Sequence, residues 1–250
     1  MSIIRRIFLR VVSWLTTPFS DDQFVDFLFK LIVRRIRSRS AERALGILFS
    51  LDALLYQLQG QAAVEYGGGV HTKHRHMKYH DFFVNRVKSD DRVIDIGCGI
   101  GAVAYDVAAV ASRVVGVDFN EQSIRAARQR FQKPNLQFRV GDALEALPDE
   151  QFSVVILSNV LEHLPSRPAF LRRVQDTLHP QRLLIRVPLF ERDWRVPLKK
   201  ELNVEWRLDP THEIEYTIET FSEEMHAANL EIAHLEVRWG EIWCEVSPLK

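Results

Sequence analysis

Cysteine and long apolar runs are scarce in this 250-residue chain. Its two cysteines, Cys98 and Cys244, are too few for a disulfide framework and favour a reducing, cytoplasmic setting. Its apolar runs are shorter than the roughly 18 to 20 residues that a membrane-spanning helix needs, so we expect no such helix. Arginines at positions 5, 6 and 10 interrupt the N-terminal apolar stretch, which therefore lacks a clear signal-peptide pattern.

A net charge is absent as well, because 33 basic residues balance 33 acidic ones. Bulk electrostatics therefore gives no reason to expect a polyanionic partner such as nucleic acid. The balance is uneven along the chain, since the first 43 residues carry nine Lys or Arg against four Asp or Glu. A basic N-terminal part is suited to contact with anionic lipids.

Helical periodicity dominates the N-terminal part. Apolar residues at positions 4, 7, 8, 11 and 15 recur at helical spacing, and Asp21 and Asp22 indicate the start of a second helix. Leucines at positions 45, 48, 51, 55 and 58 predict a third helix. Gly67–Gly69 is the clearest hinge signal. We therefore predict a helical segment over residues 1–66, which caps the rest of the chain or contacts a membrane or partner, and a second domain over residues 67–250.

Strand and helix patterns alternate from about Asp90 onward, which predicts parallel βαβ units. Predicted strands cover residues 93–96, 114–117, 136–140, 154–157 and 183–187, and predicted helices cover 102–111, 121–131, 168–178 and 218–229. Two further strands, 232–238 and 242–246, meet at Trp239–Gly240 as an antiparallel hairpin. The prediction is an α/β fold with a doubly wound, Rossmann-like, mainly parallel seven-stranded sheet, an antiparallel last strand and an N-terminal helical appendage.

Three glycines, Gly97, Gly99 and Gly101, follow the first predicted strand. Glycine at this junction allows a tight turn and the close approach of a ligand to the backbone. Asp95 lies two residues before the first glycine, where its carboxylate can pair with an ammonium group. A pyrophosphate at this turn would gain nothing from an anion, so Asp95 favours a nucleoside that carries an amino acid over a dinucleotide.

Asp118 ends the second predicted strand, 19 residues after Gly99. An acidic side chain at that position can accept hydrogen bonds from both hydroxyl groups of a ribose. Sites for S-adenosylmethionine (SAM) and for NAD both use such a residue. Asp118 therefore supports a nucleoside ligand without choosing between the two.

Two later segments, Leu136–Ala143 and Ser158–His163, resemble motifs of the class I SAM-dependent methyltransferases, as does the glycine loop. The resemblance implies SAM as the cofactor, with its adenine at Asp142 and Ala143 and its methionine part at Asn159. Asp142 also has a structural interpretation, because aspartate often caps a short helix.

The same resemblance implies a wider set of cofactor contacts. It covers the loop residues Gly97, Cys98, Gly99 and Gly101, and Asp118 with its neighbour Phe119. A segment before the first strand, containing His74 and Arg75, resembles a lid over the cofactor. Arg75 would then pair with the methionine carboxylate.

Two histidines, His163 and His212, are candidates for catalysis. A His beside Glu and Tyr in an insertion after the fifth strand, as His212 is, can deprotonate a hydroxyl during methyl transfer. Each also has a structural interpretation, His163 as a satisfied structural histidine and His212 as a residue packed against the turn before it. We expect no metal site at the histidines of residues 71–76, which lack cysteine and a matching second cluster.

The motifs thus predict a SAM-dependent methyltransferase that acts on a small polar acceptor. The histidine-containing lid and the segment around His212 resemble bacterial methyltransferases of glycan assembly, and this resemblance implies a hydroxyl of a sugar or glycan intermediate as the acceptor. The alternatives are a quinone or lipid O-methyltransferase at the membrane surface and a non-catalytic SAM-binding protein; Asp95 and the terminal hairpin disfavour a dehydrogenase. A nucleic-acid substrate is not expected, since the Asn-Pro-Pro-aromatic tetrapeptide of amide- and base-modifying relatives is absent at Asn159. We expect a cytoplasmic protein, and leave open a peripheral contact with the inner membrane face and a homodimer.

Overall fold

The computed structural model describes Trp14 and residues 16–249. The contacts within the chain divide it into two compact units, Met1–Gln57 and Leu58–Lys250. This division falls inside a helix, and the glycines that predicted a hinge come directly after that helix. The first predicted helix, over positions 4–15, lies outside the described residues except for Trp14.

Helix α1 (Asp21–Ile36) in the first unit begins at a capping box. The Ser20 hydroxyl accepts a hydrogen bond from the Gln23 amide at 3.3 Å, and the Gln23 side chain accepts one from the Ser20 amide at 2.9 Å. Helix α2 (Ala41–Tyr66) contains the leucines that predicted it and runs into the second unit. None of the helices described here is both long enough and apolar enough to cross a membrane.

The second unit is built on one mixed sheet of seven strands. The strands are β1 (Arg92–Ile96), β2 (Arg113–Asp118), β3 (Leu136–Val140), β4 (Val154–Ser158), β5 (Arg182–Pro188), β6 (Leu230–Arg238) and β7 (Glu241–Pro248). Their order is β3-β2-β1-β4-β5-β7-β6. Strands β1 to β5 pair in parallel, and β7 lies between β5 and β6, antiparallel to both. The predicted Rossmann-like sheet with its antiparallel last strand is confirmed.

Helices precede and connect these strands and cover both faces of the sheet. They are α3 (Lys73–Met77), α4 (Tyr79–Val84), α5 (Ala102–Val107), α6 (Glu121–Arg130), α7 (Arg167–Leu178), α8 (Arg195–Glu201) and α9 (Ile218–Ala227), with 3₁₀ turns at Leu161–His163 and Phe190–Arg192. Helices α3, α4 and α8 were not predicted, because elements of five to seven residues show too little periodicity. Helix α5 is shorter than predicted.

Two layers of apolar side chains form the core. Successive residues of a strand point to opposite faces, so Val93 joins one layer and Ile94 the other. Leu171 of α7 and Phe221 of α9 belong to the layer of Ile94, and Phe83 of α4 belongs to that of Val93. The central strands are buried on both faces, which explains why their sequences are mostly apolar. Ligand-binding side chains must therefore lie at the carboxyl ends of the strands.

Candidate functional site

The glycine loop after β1 has three left-handed glycines, with φ of 71° at Gly97, 53° at Gly99 and 82° at Gly101. A Cβ atom at Gly97 would lie 2.6 Å from the Val160 side chain, and one at Gly101 would lie 2.4 Å from the Phe138 ring. A Cβ at Gly99 would meet no atom within 4 Å. Packing therefore requires glycine at the two outer positions, whereas the middle glycine leaves an open surface.

Asp118 lies at the end of β2, beside this loop. Its Oδ2 accepts a hydrogen bond from the Gly99 amide at 2.8 Å, and its Oδ1 accepts one from the Asn120 amide at 2.8 Å. Each carboxylate oxygen can accept a further hydrogen bond. The carboxylate is thus held in one orientation and retains acceptor capacity for two hydroxyl groups. Phe119 next to it is 75% exposed.

Asp95 is buried in β1, and its Oδ2 has no hydrogen-bond partner among the described residues. Burial, reinforced by the negative charge of Asp118, raises the pKa of Asp95 to about 8, although the Ala104 amide acts in the opposite direction. A cation beside this carboxyl group would favour its charged form. Cys98 follows in the loop, and burial raises the pKa of its thiol well above its usual range, so the thiol stays protonated.

Asp142 follows the end of β3 and takes part in a local turn. Its Oδ1 accepts a hydrogen bond from the Leu144 amide at 2.8 Å, and its carbonyl oxygen accepts from the amides of Glu145 and Ala146, both at 3.0 Å. Asp142 therefore caps a turn, and no helix follows it as the structural interpretation had suggested. It leaves the other carboxylate oxygen available for an adenine amino group, and Ala143 lies next to it in the same turn.

The end of β4 carries two buried polar groups without partners in the part of the chain that the structure describes. Asn159 has a left-handed backbone with φ of 57°, and its Oδ1 is unpaired. Glu162 is fully buried, and no hydrogen bond of normal geometry reaches either carboxylate oxygen. Burial raises the pKa of Glu162 to about 8; its own amide and the charge of Arg186 counteract the shift.

His163 and His212 lie together beside Glu162. Their ring centroids are 4.6 Å apart, with 82° between the ring planes. Nδ1 of His163 lies 2.9 Å from Oγ1 of Thr211, and Nδ1 of His212 lies 2.9 Å from Oε1 of Glu215. His212 is 5% exposed and His163 is exposed. The two histidines that the sequence singled out thus form one cluster.

Backbone hydrogen bonds explain why residues so far apart in sequence meet here. The amide of Glu213 donates to the carbonyl oxygen of Glu162 at 2.7 Å, and Arg207 donates to the carbonyl oxygen of His212 at 3.1 Å. Glu215 also accepts from the Leu208 amide at 2.7 Å and forms an ion pair with Arg192. The insertion after β5 is therefore fixed against the end of β4. Glu215 was not proposed as a site residue, although its spacing of three from His212 was a usable signal.

The segment before β1 presents His74, and not Arg75, to the interior. Nδ1 of His74 lies 3.0 Å from Nε2 of His80 and 2.9 Å from the Tyr79 hydroxyl, and His80 contacts Asp106 at 2.6 Å. Burial lowers the pKa of His74 to about 4, with a further contribution from His80. Arg75 is exposed, with its guanidinium 5.5 Å from the centroid of the Tyr66 ring.

A buried arginine near the site, Arg186, was not among the predicted site residues. It is buried in β5, and its Nε lies 2.8 Å from Glu241 Oε2. Its guanidinium carbon lies 3.8 Å from the centroid of the Tyr79 ring, and Nη1 donates to the Ser158 hydroxyl at 3.3 Å. An arginine within an otherwise apolar strand was the signal that could have identified it.

Known proteins resemble this chain at the level of domain and fold. Residues 94–185 match the family described as "Methyltransferase domain". Curated relatives include ubiquinone biosynthesis O-methyltransferases from Bradyrhizobium diazoefficiens, 33% identical, and Rhodopseudomonas palustris, 31% identical, each over 106 residues. Both matches cover 42% of this chain, and the chain spans only 42% of the length of these relatives.

Solved structures agree on the fold. Magnesium protoporphyrin IX methyltransferase from Synechocystis, solved with bound SAH, superposes with a TM-score of 0.55 at 17% identity over 69% of this chain and 83% of that one. A SAM-dependent methyltransferase from Mesorhizobium loti gives 0.54 at 16% identity over 68% and 97%. Residues 94–185 therefore match a methyltransferase domain, and the seven-stranded fold around them is the fold of these solved methyltransferases.

Proposed function

We propose that this chain transfers the methyl group of SAM to a hydroxyl group of a small polar acceptor. The observation that carries the proposal is the cluster of Glu162, His163 and His212 at the carboxyl end of β4, within the unit that contains the glycine loop. An amine acceptor needs only to be neutral, whereas a hydroxyl acceptor benefits from a group that takes its proton or makes that proton more acidic. Histidines held by a carboxylate and a hydroxyl suit that task.

The residues of the strand ends fit SAM. Asp118 offers acceptors for two ribose hydroxyls, and the open surface over Gly99 admits a ligand against the backbone. The unpaired Oδ2 of Asp95 suits the ammonium group, and the unpaired Oδ1 of Asn159 offers a further acceptor. Asp142 and Ala143 are proposed for the adenine. Arg75 lies over the Tyr66 ring and would have to turn away from it to reach the methionine carboxylate of SAM. His74 and Tyr79 line the inner side of that segment.

Methyl transfer requires mainly that the protein align the acceptor oxygen, the methyl carbon and the sulfur atom. When bound, SAM supplies a methyl group made electrophilic by its sulfonium. The acceptor oxygen forms a bond to the methyl carbon while the carbon–sulfur bond breaks, and the electron pair of that bond stays on sulfur. The hydroxyl proton leaves the acceptor. His163 and His212 are the residues proposed to promote its loss, and the fixed insertion after β5 would hold the oxygen in line.

Two classes of hydroxyl remain candidates, a sugar or glycan hydroxyl and a phenolic hydroxyl of a quinone precursor. The similarity to ubiquinone biosynthesis O-methyltransferases favours the quinone class, although the match covers less than half of either chain. A non-catalytic SAM-binding protein is disfavoured by the His212–Glu215 pair, which such a protein would not need.

Labelled methyl transfer tests this function. The purified protein is incubated with methyl-labelled SAM and, separately, with glycan and lipid extracts, and the products are analysed by mass spectrometry. We expect a product that gains one methyl group on oxygen in one extract only, and none with the His212→Gln variant. SAM binding without any methylated product in either extract would overturn the enzyme assignment.

We also propose that the first unit contacts the anionic face of a membrane, which agrees with a cytoplasmic, peripheral protein. Helix α1 exposes Phe24, Val25, Leu28 and Phe29 to solvent, and basic residues follow at positions 34, 35, 37 and 39. Apolar side chains next to arginines suit the interface of a bilayer that carries anionic lipids.

A further inference from the structure

Glu162, His163 and His212 can each provide one ligand atom such that all three atoms lie within 4.8 Å of one another. Two imidazoles and one carboxylate are a ligand set that divalent transition metals use in catalytic sites. Proximity alone does not make a metal site. The burial and the hydrogen-bond partners of each residue show whether it can act as a ligand.

Glu162 is the first ligand to consider, because its carboxylate is fully buried and neither oxygen has a hydrogen-bond partner among the described residues. A buried carboxylate without a partner is costly unless a cation neutralises it. Arg186 does not fill that place, since its guanidinium pairs with Glu241. A carboxylate oxygen of Glu162 is thus available to bind a cation within the cluster.

The hydrogen bonds of the two histidines fix their tautomers. Glu215 is a carboxylate and can only accept, so Nδ1 of His212 donates to it. The Thr211 hydroxyl donates its one proton to Asp209 at 2.8 Å, so it accepts from Nδ1 of His163. In its neutral form each ring therefore carries its proton on Nδ1, which leaves the lone pair of Nε2 for a cation.

This arrangement is the one that metal-binding histidines show. Such a histidine donates its second ring N–H to a carboxylate or another oxygen, which orients the ring and increases its basicity. Glu215 is itself fixed by Arg192 and the Leu208 amide, and Thr211 is fixed by Asp209. His163 is exposed while the other two ligands are buried, so the cluster has one side open to solvent or to a substrate.

We propose that Glu162, His163 and His212 bind a divalent transition-metal cation such as Zn²⁺, with an open position for the acceptor hydroxyl. The role of the acceptor in this inference rests on the proposed function, whereas the cation site does not. A hydroxyl bound to such a cation loses its proton to solvent more readily, and its oxygen is then the nucleophile toward the methyl carbon. His212 would in this case act as a ligand and not as the base itself.

Zinc titration of the full-length protein tests the site without any acceptor. After treatment with a chelator, the protein is titrated with Zn²⁺ by calorimetry, and Co²⁺ is added separately as a spectroscopic probe. We expect one tight site per chain and visible Co²⁺ absorption typical of nitrogen and oxygen ligands. Glu162→Gln and His163→Gln should each weaken Zn²⁺ binding by about tenfold or more. The control His234→Gln, an exposed histidine on β6, should bind as the wild type does.

Since Glu162 is buried, the exposed His163 provides the second variant if Glu162→Gln does not fold. Equal Zn²⁺ affinity in the wild type and in both ligand variants would overturn the proposal. SAM binding, measured in the presence of the chelator, is expected to persist. Its loss in the wild type would count against the proposed function, and a failed Zn²⁺ titration with intact SAM binding would count against the cation site alone.

Discussion

The carboxylate of Asp118 accepts a hydrogen bond from the Gly99 amide at 2.8 Å, and this bond joins the end of β2 to the loop after β1. The same side chain also holds the amide of Asn120, the residue that caps helix α6. A carboxylate fixed at two points loses little conformational entropy when it binds a ligand. We infer that the loop and the proposed ribose site at Asp118 form one preorganised unit.

Replacing Asp118 should therefore weaken cofactor binding. We expect Asp118→Ala to reduce SAM affinity by about 1–3 kcal/mol, because it leaves polar groups of the ligand and of the loop unpaired. Isothermal titration calorimetry measures this directly. Glu121→Ala, three residues later on the exposed surface of α6, serves as the control and should keep wild-type affinity. Unchanged SAM affinity in Asp118→Ala would refute the ribose assignment.

Replacing Gly97 should mainly impair folding, whereas replacing Gly99 should mainly impair ligand binding. Gly99→Ala places its Cβ in open space, so its folding cost is the left-handed backbone alone, about 1–2 kcal/mol. Gly97→Ala has the same backbone cost and adds a contact of 2.6 Å with Val160. We expect Gly97→Ala to lower the unfolding free energy more than Gly99→Ala does, as measured by urea denaturation.

Gly99→Ala should in turn impair SAM binding without a large loss of stability. Its methyl group would occupy the surface on which the ligand is proposed to lie, and we expect affinity to fall about tenfold or more. A folded Gly99→Ala variant that binds SAM as tightly as the wild type would show that the cofactor does not approach this backbone.

Asp95 should make the ligand-free protein less stable at alkaline pH. Its pKa is raised from 3.8 to about 8 by burial and by the charge of Asp118. Between these two values the folded state keeps a proton that the unfolded state has released, so stability falls as pH rises from about 4 to about 8 and then levels off. Asp95→Asn removes this dependence, because an amide does not titrate.

Thermal melting across pH tests the role of Asp95. We expect the difference in melting temperature, Asp95→Asn minus wild type, to increase from pH 4 to pH 8 in the absence of SAM. In the presence of SAM the wild type should regain stability and the variant should gain less, since the ammonium group loses its partner. A difference that stays constant with pH would show that Asp95 does not carry the shifted proton equilibrium.

The strands and their carboxyl ends could be predicted because local sequence determines them. Val93–Ile96 is β-branched and apolar except for Asp95 and is followed directly by Gly97, and the observed strand β1 differs from it by one residue. The mainly parallel seven-stranded sheet and its antiparallel last strand are confirmed, whereas the order of the strands was not predicted. Side-chain directions in short elements could not be predicted in this way. Helix α3 has five residues, and its phase places His74 inward and Arg75 outward.

The composition of the histidine cluster was also beyond the sequence. Glu162 and His212 are separated by about fifty residues, and they meet because the Glu213 amide bonds to the Glu162 carbonyl oxygen. That hydrogen bond is a tertiary contact with no local signature. The same holds for Arg186, whose pairing with Glu241 depends on the register of β5 and β7.

His212→Gln should reduce methyl transfer without unfolding the protein. Glutamine can still donate a hydrogen bond to Glu215, so the insertion after β5 should remain in place. We expect turnover to fall by about 10²–10⁴-fold, while SAM affinity and melting temperature stay near wild type. His234→Gln is the matched control. Wild-type turnover in His212→Gln would move the role to His163 or show that none of the histidines is needed.

The last prediction concerns the first unit and its basic residues. Each Lys or Arg near an anionic bilayer contributes about 1 kcal/mol, and helix α1 ends in Arg34 and Arg35, followed by Arg37 and Arg39. We expect the full-length protein to bind phosphatidylglycerol vesicles at low salt, and to be released as salt screens the charges. Neutral phosphatidylcholine vesicles should bind it weakly.

Two variants assign that binding to charge and to the N-terminal segment. Replacing the four arginines by glutamine should abolish flotation with anionic vesicles, because the apolar side chains of α1, such as Phe29, would then lack electrostatic support. Removal of residues 1–20 should weaken it as well, since three more arginines, at positions 5, 6 and 10, are lost. SAM binding should persist in both variants. If the full-length protein stays in solution at low salt, the exposed apolar face of α1 serves association between proteins, and the peripheral membrane assignment is wrong.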